Sequence, residues 1–504
     1  MFNAEIIVFL AYFVILFFVG LIFFFNGSNK NGEDYFLGGR SMGPWVTAMS
    51  AQASDMSAWL LMGLPGSILA FGFGQIWIGI GLALGTAANW IFCAARLRKF
   101  SKVANDSITF PQYMTNRFAT KKMTLQVICA VVFLVAFTIY VASALVAGSS
   151  VFTMLFPGIS NQTAMILFVL IIIGYTFLGG FKAVCWTDFF QGILMMIALL
   201  AVPIMVISTQ NLDHSLLQQV YTYTDASGAT VVCDFGAGLF SASWQDILSG
   251  LGWGLGYFGM PHILVRFMSI EKPSMVKKSS TVAIIWVILS ICGACLVAYY
   301  ARMIIADELL PMGLQKTVFI VMARRFFPSA IAGFLLAAIM AASVSTADSQ
   351  LLVASSSFTA DIYKPLINKK ASDKNVLLVG RLTVVVIAII AYIIASSKGA
   401  GAQAIMNMVE NAWGIFGSAF GPVVLFSLFW RRFNYTGACT GVVVGAVVDI
   451  LWLNFLKGST GVYEIVPGFI CGGIAAIMAT LLSKAPDKAV TDIYDKATDP
   501  SFDE

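Results

Sequence analysis

Apolar stretches long enough to cross a bilayer recur along nearly the whole chain, and short polar segments between them hold most of its charge. Thirteen spans are expected, at roughly 5–25, 43–71, 75–95, 125–155, 162–180, 184–208, 244–268, 278–303, 328–359, 376–397, 403–430, 434–456 and 463–483. Several exceed about 25 residues, so they tilt, bend or run beyond the bilayer. Two spans carry an interruption that does not suit lipid. In the second, Ala53-Ser54-Asp55-Met56-Ser57 lies between Pro44-Trp45-Val46 and Trp59-Leu60-Leu61-Met62. A carboxylate and two hydroxyls at that depth are costly unless they face the bundle interior, where such groups mark a substrate or ion path. In the seventh, Gly252-Trp253-Gly254-Leu255-Gly256-Tyr257-Phe258-Gly259 is too rich in glycine for a plain helix. Broken spans in corresponding halves of a membrane protein point to a transporter's binding site.

Composition agrees with this pattern. The 504 residues are 59% hydrophobic and 11% charged, against about 25% charged in a soluble domain. The expected class is an all-α polytopic membrane protein with one transmembrane domain, residues 1–484, and a short polar tail, 485–504. The first span is too long for a signal-peptide core and reads as retained. Of the 30 Lys and Arg residues, 24 fall on the side of the odd-numbered loops, Lys30 and Arg266 among them. The other side holds six: Arg302, Lys316, Arg324, Arg325, Lys398 and Lys457. That asymmetry puts the odd loops and the C-terminus in the cytoplasm and the N-terminus outside, in a cell membrane. The loop 209–243, with Asp213, Asp225 and Asp234, reads as a solvated cap. The tail after Lys484 reads as disordered, and Gly38-Gly39 and Gly179-Gly180 read as turns.

The basic residues lie between spans, so the net charge of +5 offers no surface for nucleic acid. No protein partner is evident beyond the lipid bilayer. Eight cysteines are scattered. Cys292 and Cys295 have redox-motif spacing, but they sit inside the apolar run Ile284–Leu296 and read as small lipid- or core-facing residues. His214 and His262 have no spacing that would build a metal site.

The ninth span carries Ala341-Ala342-Ser343-Val344-Ser345-Thr346-Ala347-Asp348-Ser349. Ala342, Ser345 and Thr346 share one helix face. They are either helix-packing hydroxyls or oxygens for a sodium ion, with carbonyls of Ala53 and Met56 from the broken second span as further ligands. Asp348 and Ser349 continue the stripe, and Asp188 opens the sixth span. These three form a second cation site with Ser345, or Asp188 is a helix N-cap and Asp348 a buried, hydrogen-bonded acid. Asp55 is placed near the ion, or it caps the second half of its broken span. Ser57 is better placed for substrate. Trp253, Tyr257 and Pro261 recur every four residues beside the glycine break. They are core packing, or an aromatic wall for a small zwitterion whose carboxylate takes free backbone N–H groups.

Further stretches add to these: Asp34-Tyr35-Phe36-Leu37-Gly38-Gly39-Arg40-Ser41, Trp59 through Gly66, Gly179-Gly180-Phe181 with Trp186-Thr187-Asp188, Pro261-His262-Ile263-Leu264, and Phe416-Gly417 through Ser427. Together they resemble the solute:sodium symporter family, and specifically its bacterial sodium/proline branch. The resemblance implies a leucine-transporter-type inverted repeat, spans 2–6 repeated as 7–11, with spans 1, 12 and 13 added. It implies sodium as the co-transported ion, at Ala53, Met56, Ala342, Ser345 and Thr346. It implies a substrate site at Ser57, Tyr140, Trp253, Tyr257 and Pro261. It gives coupling or gating roles to Arg40, Asp55 and Asp188, and maps a second sodium site to Asp188, Ser345, Asp348 and Ser349. The implied activity is sodium-coupled import of L-proline by alternating access. Ala58 stands where that branch usually has Gly, and Met260 where it often has Gln. Symport of another small amino acid or a carboxylate is therefore the alternative. A membrane sensor would need a cytoplasmic output domain, and the tail is too short for one. A channel would need a continuous polar stripe across several spans. An enzyme would need a catalytic pair or cofactor motif, and the sequence has neither.

Overall fold

The structure is a computed structural model that describes residues 4–25, 32–224, 228–236, 239–398 and 402–502. Lys30 and Asp225 lie outside the described residues. The chain is mostly helical. α1 (Ala4–Phe25) and α2 (Gly32–Leu37) lead into the broken second span, α3 (Pro44–Met56) and α4 (Gly63–Phe71). Then follow α5 (Ile76–Ala88), α6 (Ala95–Val103), α7 (Phe110–Asn116), α8 (Thr124–Leu155) and the long α9 (Asn161–Thr209). A short hairpin, β1 (Tyr221–Thr224) and β2 (Thr230–Cys233), precedes the broken seventh span, α10 (Trp244–Gly252) and α11 (Pro261–Ser269). The rest comprises α12 (Val276–Ile304), α13 (Ala306–Leu309), α14 (Val318–Phe326), α15 (Ser329–Phe358), α16 (Asp373–Lys398) and α17 (Ala402–Phe429). It closes with α18 (Tyr435–Leu451), α19 (Lys457–Thr460), α20 (Ile465–Leu482) and α21 (Lys488–Thr498).

Among the described residues, ten helices are long and apolar enough to cross a membrane, and Asn161–Phe177 is a shorter apolar one. The three expected spans without a counterpart among the ten are the second, fifth and seventh. The second and seventh are divided into short helices. The fifth stops at Gly180, whose φ of 64° and ψ of −179° break α9 in two. Gly38 and Gly39 also adopt positive φ, so both glycine pairs turn the chain as expected.

The core centres on α15, which packs against α1, α3, α8 and α9 and is buried along nearly its whole length. On α16, by contrast, Leu378, Leu382, Val386, Ile389 and Ile393 form an exposed apolar stripe. A bare face of that kind suits acyl chains and not water.

Two connecting segments are more ordered than the sequence suggests. The hairpin pairs Tyr221 with Cys233 and Thr224 with Thr230, antiparallel. The Arg302 guanidinium donates to the carbonyls of Leu69, at 2.8 Å, and Cys233, at 3.2 Å, and also to that of Gln219. This ties the 209–243 cap to the end of α4. The tail expected to be disordered forms α21. Its Val490, Ile493, Tyr494 and Ala497 recur at i, i+3, i+4 and i+7, a helix period that its overall polarity hides. Val490 and Ala497 are buried, and Tyr494 meets the Phe100 ring edge-on at 5.5 Å. Arg117, fully buried, donates to the carbonyls of Ser427, at 2.9 Å, and Val490, at 3.1 Å.

Candidate functional site

α3 opens with Pro44 at its first turn and ends at Ser57, where φ of 43° and ψ of −177° take the backbone out of the helix. A positive φ at a non-glycine residue is uncommon and clusters at functional sites. The Ser57 hydroxyl then accepts the Trp59 N–H at 3.1 Å, which starts a 3-10 turn over Ala58–Leu60 before α4 resumes. Ser57 therefore caps the 3-10 turn that links the two halves of the span. Asp55, within the last turn of α3, instead accepts the Tyr257 hydroxyl at 2.5 Å.

Where α3 faces α15, oxygens converge. The Ser345 hydroxyl donates to the Ala53 carbonyl at 2.8 Å and to the Ala342 carbonyl at 3.2 Å. Thr346, the next residue, is fully buried and its Oγ1 has no hydrogen-bond partner among the described residues. A buried hydroxyl left without a partner is costly. The cluster joins neutral carbonyl and hydroxyl oxygens of the last turn of α3 and of α15. That chemistry suits a small monovalent cation such as sodium, and the carbonyl ends of half-helices serve the same purpose in transporter folds.

Beside it lies a cavity of about 10 Å³ lined by Asp55, Met56, Ser57, Trp59, Leu82, Tyr140, Trp253, Val409 and Trp413. That is room for about one water. The aromatic walls touch: Trp253 stacks on Trp59 with ring centroids 5.6 Å apart and lies 6.3 Å from Trp413. The Trp413 indole N–H donates to the Trp253 carbonyl at 2.8 Å. Trp253 also lines a polar cavity of about 230 Å³, with Ser67, Gln75, Asp246, Ser249 and Glu410 among others. Trp253 thus lines both a small inner pocket and a wider polar one.

Of the expected substrate residues, Ser57, Tyr140 and Trp253 line the inner pocket. Tyr257 stands behind it, bonded to Asp55, with its ring edge-on to Trp413 at 5.1 Å. Pro261 is buried at the first turn of α11 and is not among the lining residues. A face shared every four residues presumes a continuous helix, whereas Trp253–Phe258 is a 3-10 turn. Trp59, Leu82, Val409 and Trp413 were missed. Trp59 could have been found from its place beside the break. Leu82, Val409 and Trp413 are apolar residues in apolar spans and carry no local signal.

Asp188 is not a helix N-cap, because its helix restarts after Gly180, two turns earlier. Its Oδ2 accepts Arg266 at 3.0 Å and the Ser50 hydroxyl at 2.7 Å. Arg266 also donates to the Ser349 hydroxyl at 2.5 Å and to Ser50 at 3.0 Å. Oδ1 of Asp188 and Oδ2 of Asp348 have no partner among the described residues. Arg266, counted from sequence with the loop cations, is 1% exposed and lies within the core. Arg40 is apart from the pocket. With φ of 47°, it donates to Asp106 at 2.9 Å, Ser101 at 3.1 Å, and the carbonyls of Met268 at 2.6 Å and Ser107 at 2.8 Å. It joins the segment after α6 to the end of α11.

Relatives share both sequence and fold. A sodium/proline symporter of Escherichia coli (strain K12) is 43% identical over 468 residues, 92% of this chain and 90% of that one. A high-affinity proline transporter of Bacillus subtilis (strain 168) is 41% identical, covering 93% of this chain and 97% of the other. A Haemophilus influenzae sodium/proline symporter is 40% identical, covering 98% of both. Among solved structures, a substrate-bound, outward-open Na+-coupled sialic acid symporter superposes with a TM-score of 0.75 at 22% identity. It covers 96% of this chain and 98% of that chain. The nucleobase-cation-symport-1 transporter Mhp1, in a closed conformation, gives 0.53 at 11% identity, covering 92% of this chain and 98% of its own. The sequence matches the sodium:solute symporter family from residue 35 to residue 445. With broken α3–α4 and α10–α11 around a small aromatic pocket, and on the strength of that match and these relatives, this chain belongs to the sodium:solute symporter family.

Proposed function

We propose that the protein is a sodium-coupled symporter that imports L-proline across the cell membrane by alternating access. The observation that carries the reading is the meeting of the α3 break with α15, where Ser345 bonds the Ala53 carbonyl and Thr346 Oγ1 stands unpartnered. Sodium is a substrate here, held by Ala53, Met56, Ala342, Ser345 and Thr346. It ties α3 to α15 and so favours the state ready for substrate. L-Proline then packs between Ser57, Tyr140, Trp253 and Tyr257, with Pro261 behind them, and the inner pocket closes around it. Each sodium that enters down the membrane potential contributes about 2.3 kcal/mol per 100 mV. The relatives named for proline transport support this substrate, as does an aromatic pocket suited to a small apolar ring.

The finer topology belongs to the same reading. Thirteen spans, with spans 2–6 repeated inverted as 7–11, put both breaks at the first helix of each repeat. The N-terminus is outside, and α21 is cytoplasmic. Asp188, Asp348 and Ser349 with Ser345 make a second sodium site, supported by the two unpartnered carboxylate oxygens. Arg40 and Asp55 act in coupling or gating.

Uptake of labelled proline into proteoliposomes tests the function. A sodium gradient should drive accumulation, and potassium in its place should not. Proline uptake that ignores sodium overturns the coupling. Sodium-driven uptake better inhibited by another amino acid or a carboxylate than by proline overturns the substrate.

A further inference from the structure

α5 crosses the broken seventh span at backbone contact. A Cβ on Gly85 would lie 2.3 Å from the Gly254 carbonyl oxygen, and one on Gly81 would lie 2.2 Å from that of Gly250. Two small-xxx-small pairs, Gly81 and Gly85 against Gly250 and Gly254, let the helices approach this closely. Four residues beyond Gly85, on the same face, comes Asn89. There the helix widens into a π turn over Asn89–Ala94, a deviation frequent at functional sites. Asn89 is fully buried. Its Nδ2 donates to the carbonyl of Tyr257 at 2.9 Å.

That carbonyl lacks its ordinary helical partner. In a continuous helix the Tyr257 oxygen would take the N–H of residue 261, but residue 261 is proline and has none. Asn89 supplies the missing donor from another helix. The same tyrosine carries the hydroxyl bonded to Asp55 and the ring set against Trp413. Asn89 Oδ1 has no partner among the described residues, so burying this amide satisfies the Tyr257 carbonyl at the expense of the amide itself.

We infer that Asn89 is a positioning residue for the substrate site. It replaces the absent Pro261 N–H, fixes the backbone at the break and so holds Tyr257 against Asp55, without touching the substrate. The inference rests on the proline-symport reading. Wild-type protein that takes up no proline under a sodium gradient defeats that reading, whereas the variants below, compared with an active wild type, defeat only this one.

The test measures proline uptake and sodium dependence for Asn89→Ala, and for Asn89→Ser, which keeps a hydroxyl donor. Asn89→Ala should raise the apparent KM for proline about tenfold, while half-saturating sodium stays within about twofold. Asn89→Ser should recover part of the loss. In a Tyr257→Phe background, which already lacks the bond to Asp55, Asn89→Ala should add much less than tenfold. Equal weakening of proline and sodium overturns the proposal, and so do an unchanged KM and full additivity with Tyr257→Phe. Failure of both variants to accumulate in the membrane assigns Asn89 to stability alone and also overturns it.

Discussion

The Thr346 hydroxyl is worth most as a ligand, since no other group in the described structure uses it. Thr346→Ala should therefore raise the sodium concentration for half-maximal uptake by about tenfold or more, roughly the value of one lost hydrogen bond or ligand. The proline KM at saturating sodium should change little. Sodium titration of initial uptake rates checks this, and an unchanged half-saturation moves the ion elsewhere. Arg266 and Asp188 make the complementary case, a buried ion pair with both side chains almost unexposed. Removing one partner leaves a buried charge uncompensated, which costs about 3–5 kcal/mol, whereas removing both is often close to neutral. Arg266→Met should lower the thermal midpoint in detergent sharply, and Arg266→Met with Asp188→Asn should recover most of it. A double variant no better than the single one shows that the guanidinium acts through Ser50 and Ser349 and not through Asp188. Both residues were visible in the sequence. That they are partners was not, because they lie 78 positions apart on different helices.

Helix boundaries carry much of the design at the scale of elements. The breaks in spans 2 and 7 were legible because a polar or glycine-rich run inside an apolar span is a local pattern. Their inner geometry was not: the seventh break is a 3-10 turn in which Asn89 and Trp413, from neighbouring helices, donate to the carbonyls of Tyr257 and Trp253. Asp106 links Arg40, beyond α2, to the segment after α6, and it also bonds Lys102 at 2.9 Å. Partial burial raises the Asp106 pKa, but the Lys102 hydrogen bond, the charges of Arg40 and Lys102 and the Arg40 hydrogen bond together bring it below the ordinary carboxylate value. A depressed folded-state pKa gives stability that is present above the unfolded value, about 3.9, and is lost as pH falls through the folded one. The thermal midpoints of wild type and Asp106→Asn should thus differ at pH 7 and converge towards pH 3. A gap that is constant across this range attributes the effect of the substitution to packing.

Over the whole molecule, the exposed apolar stripes and the buried α15 describe a bundle immersed in lipid, and the proposed topology gives it one basic end. Orientation gives a direct prediction. In a cysteine-less background, a membrane-impermeant thiol reagent applied to intact cells should label Ser215→Cys, beside the hairpin cap, and should spare Lys488→Cys in α21. Both residues are exposed, so access to solvent does not confound the comparison. The reverse pattern inverts the proposed topology.

Chain sequence by itself determined the class, the two breaks, the turns at Gly38-Gly39 and Gly179-Gly180, and the stripe of Ala342, Ser345 and Thr346. These follow from local patterns: a membrane span must be apolar over about 20 residues, and an exception is costly where it stands. The resemblance of its motifs added the residues expected around ion and substrate. Tertiary structure alone decided which polar groups meet. Ser345 reaches a carbonyl 292 positions away, Arg266 answers Asp188, Trp413 closes over Trp253, and Asn89 serves a carbonyl that Pro261 leaves bare. It also decided that the polar tail folds as α21 against Arg117. Inside a bundle, a buried donor or acceptor takes its partner from whichever helix packs beside it, and the period of its own helix does not name that neighbour.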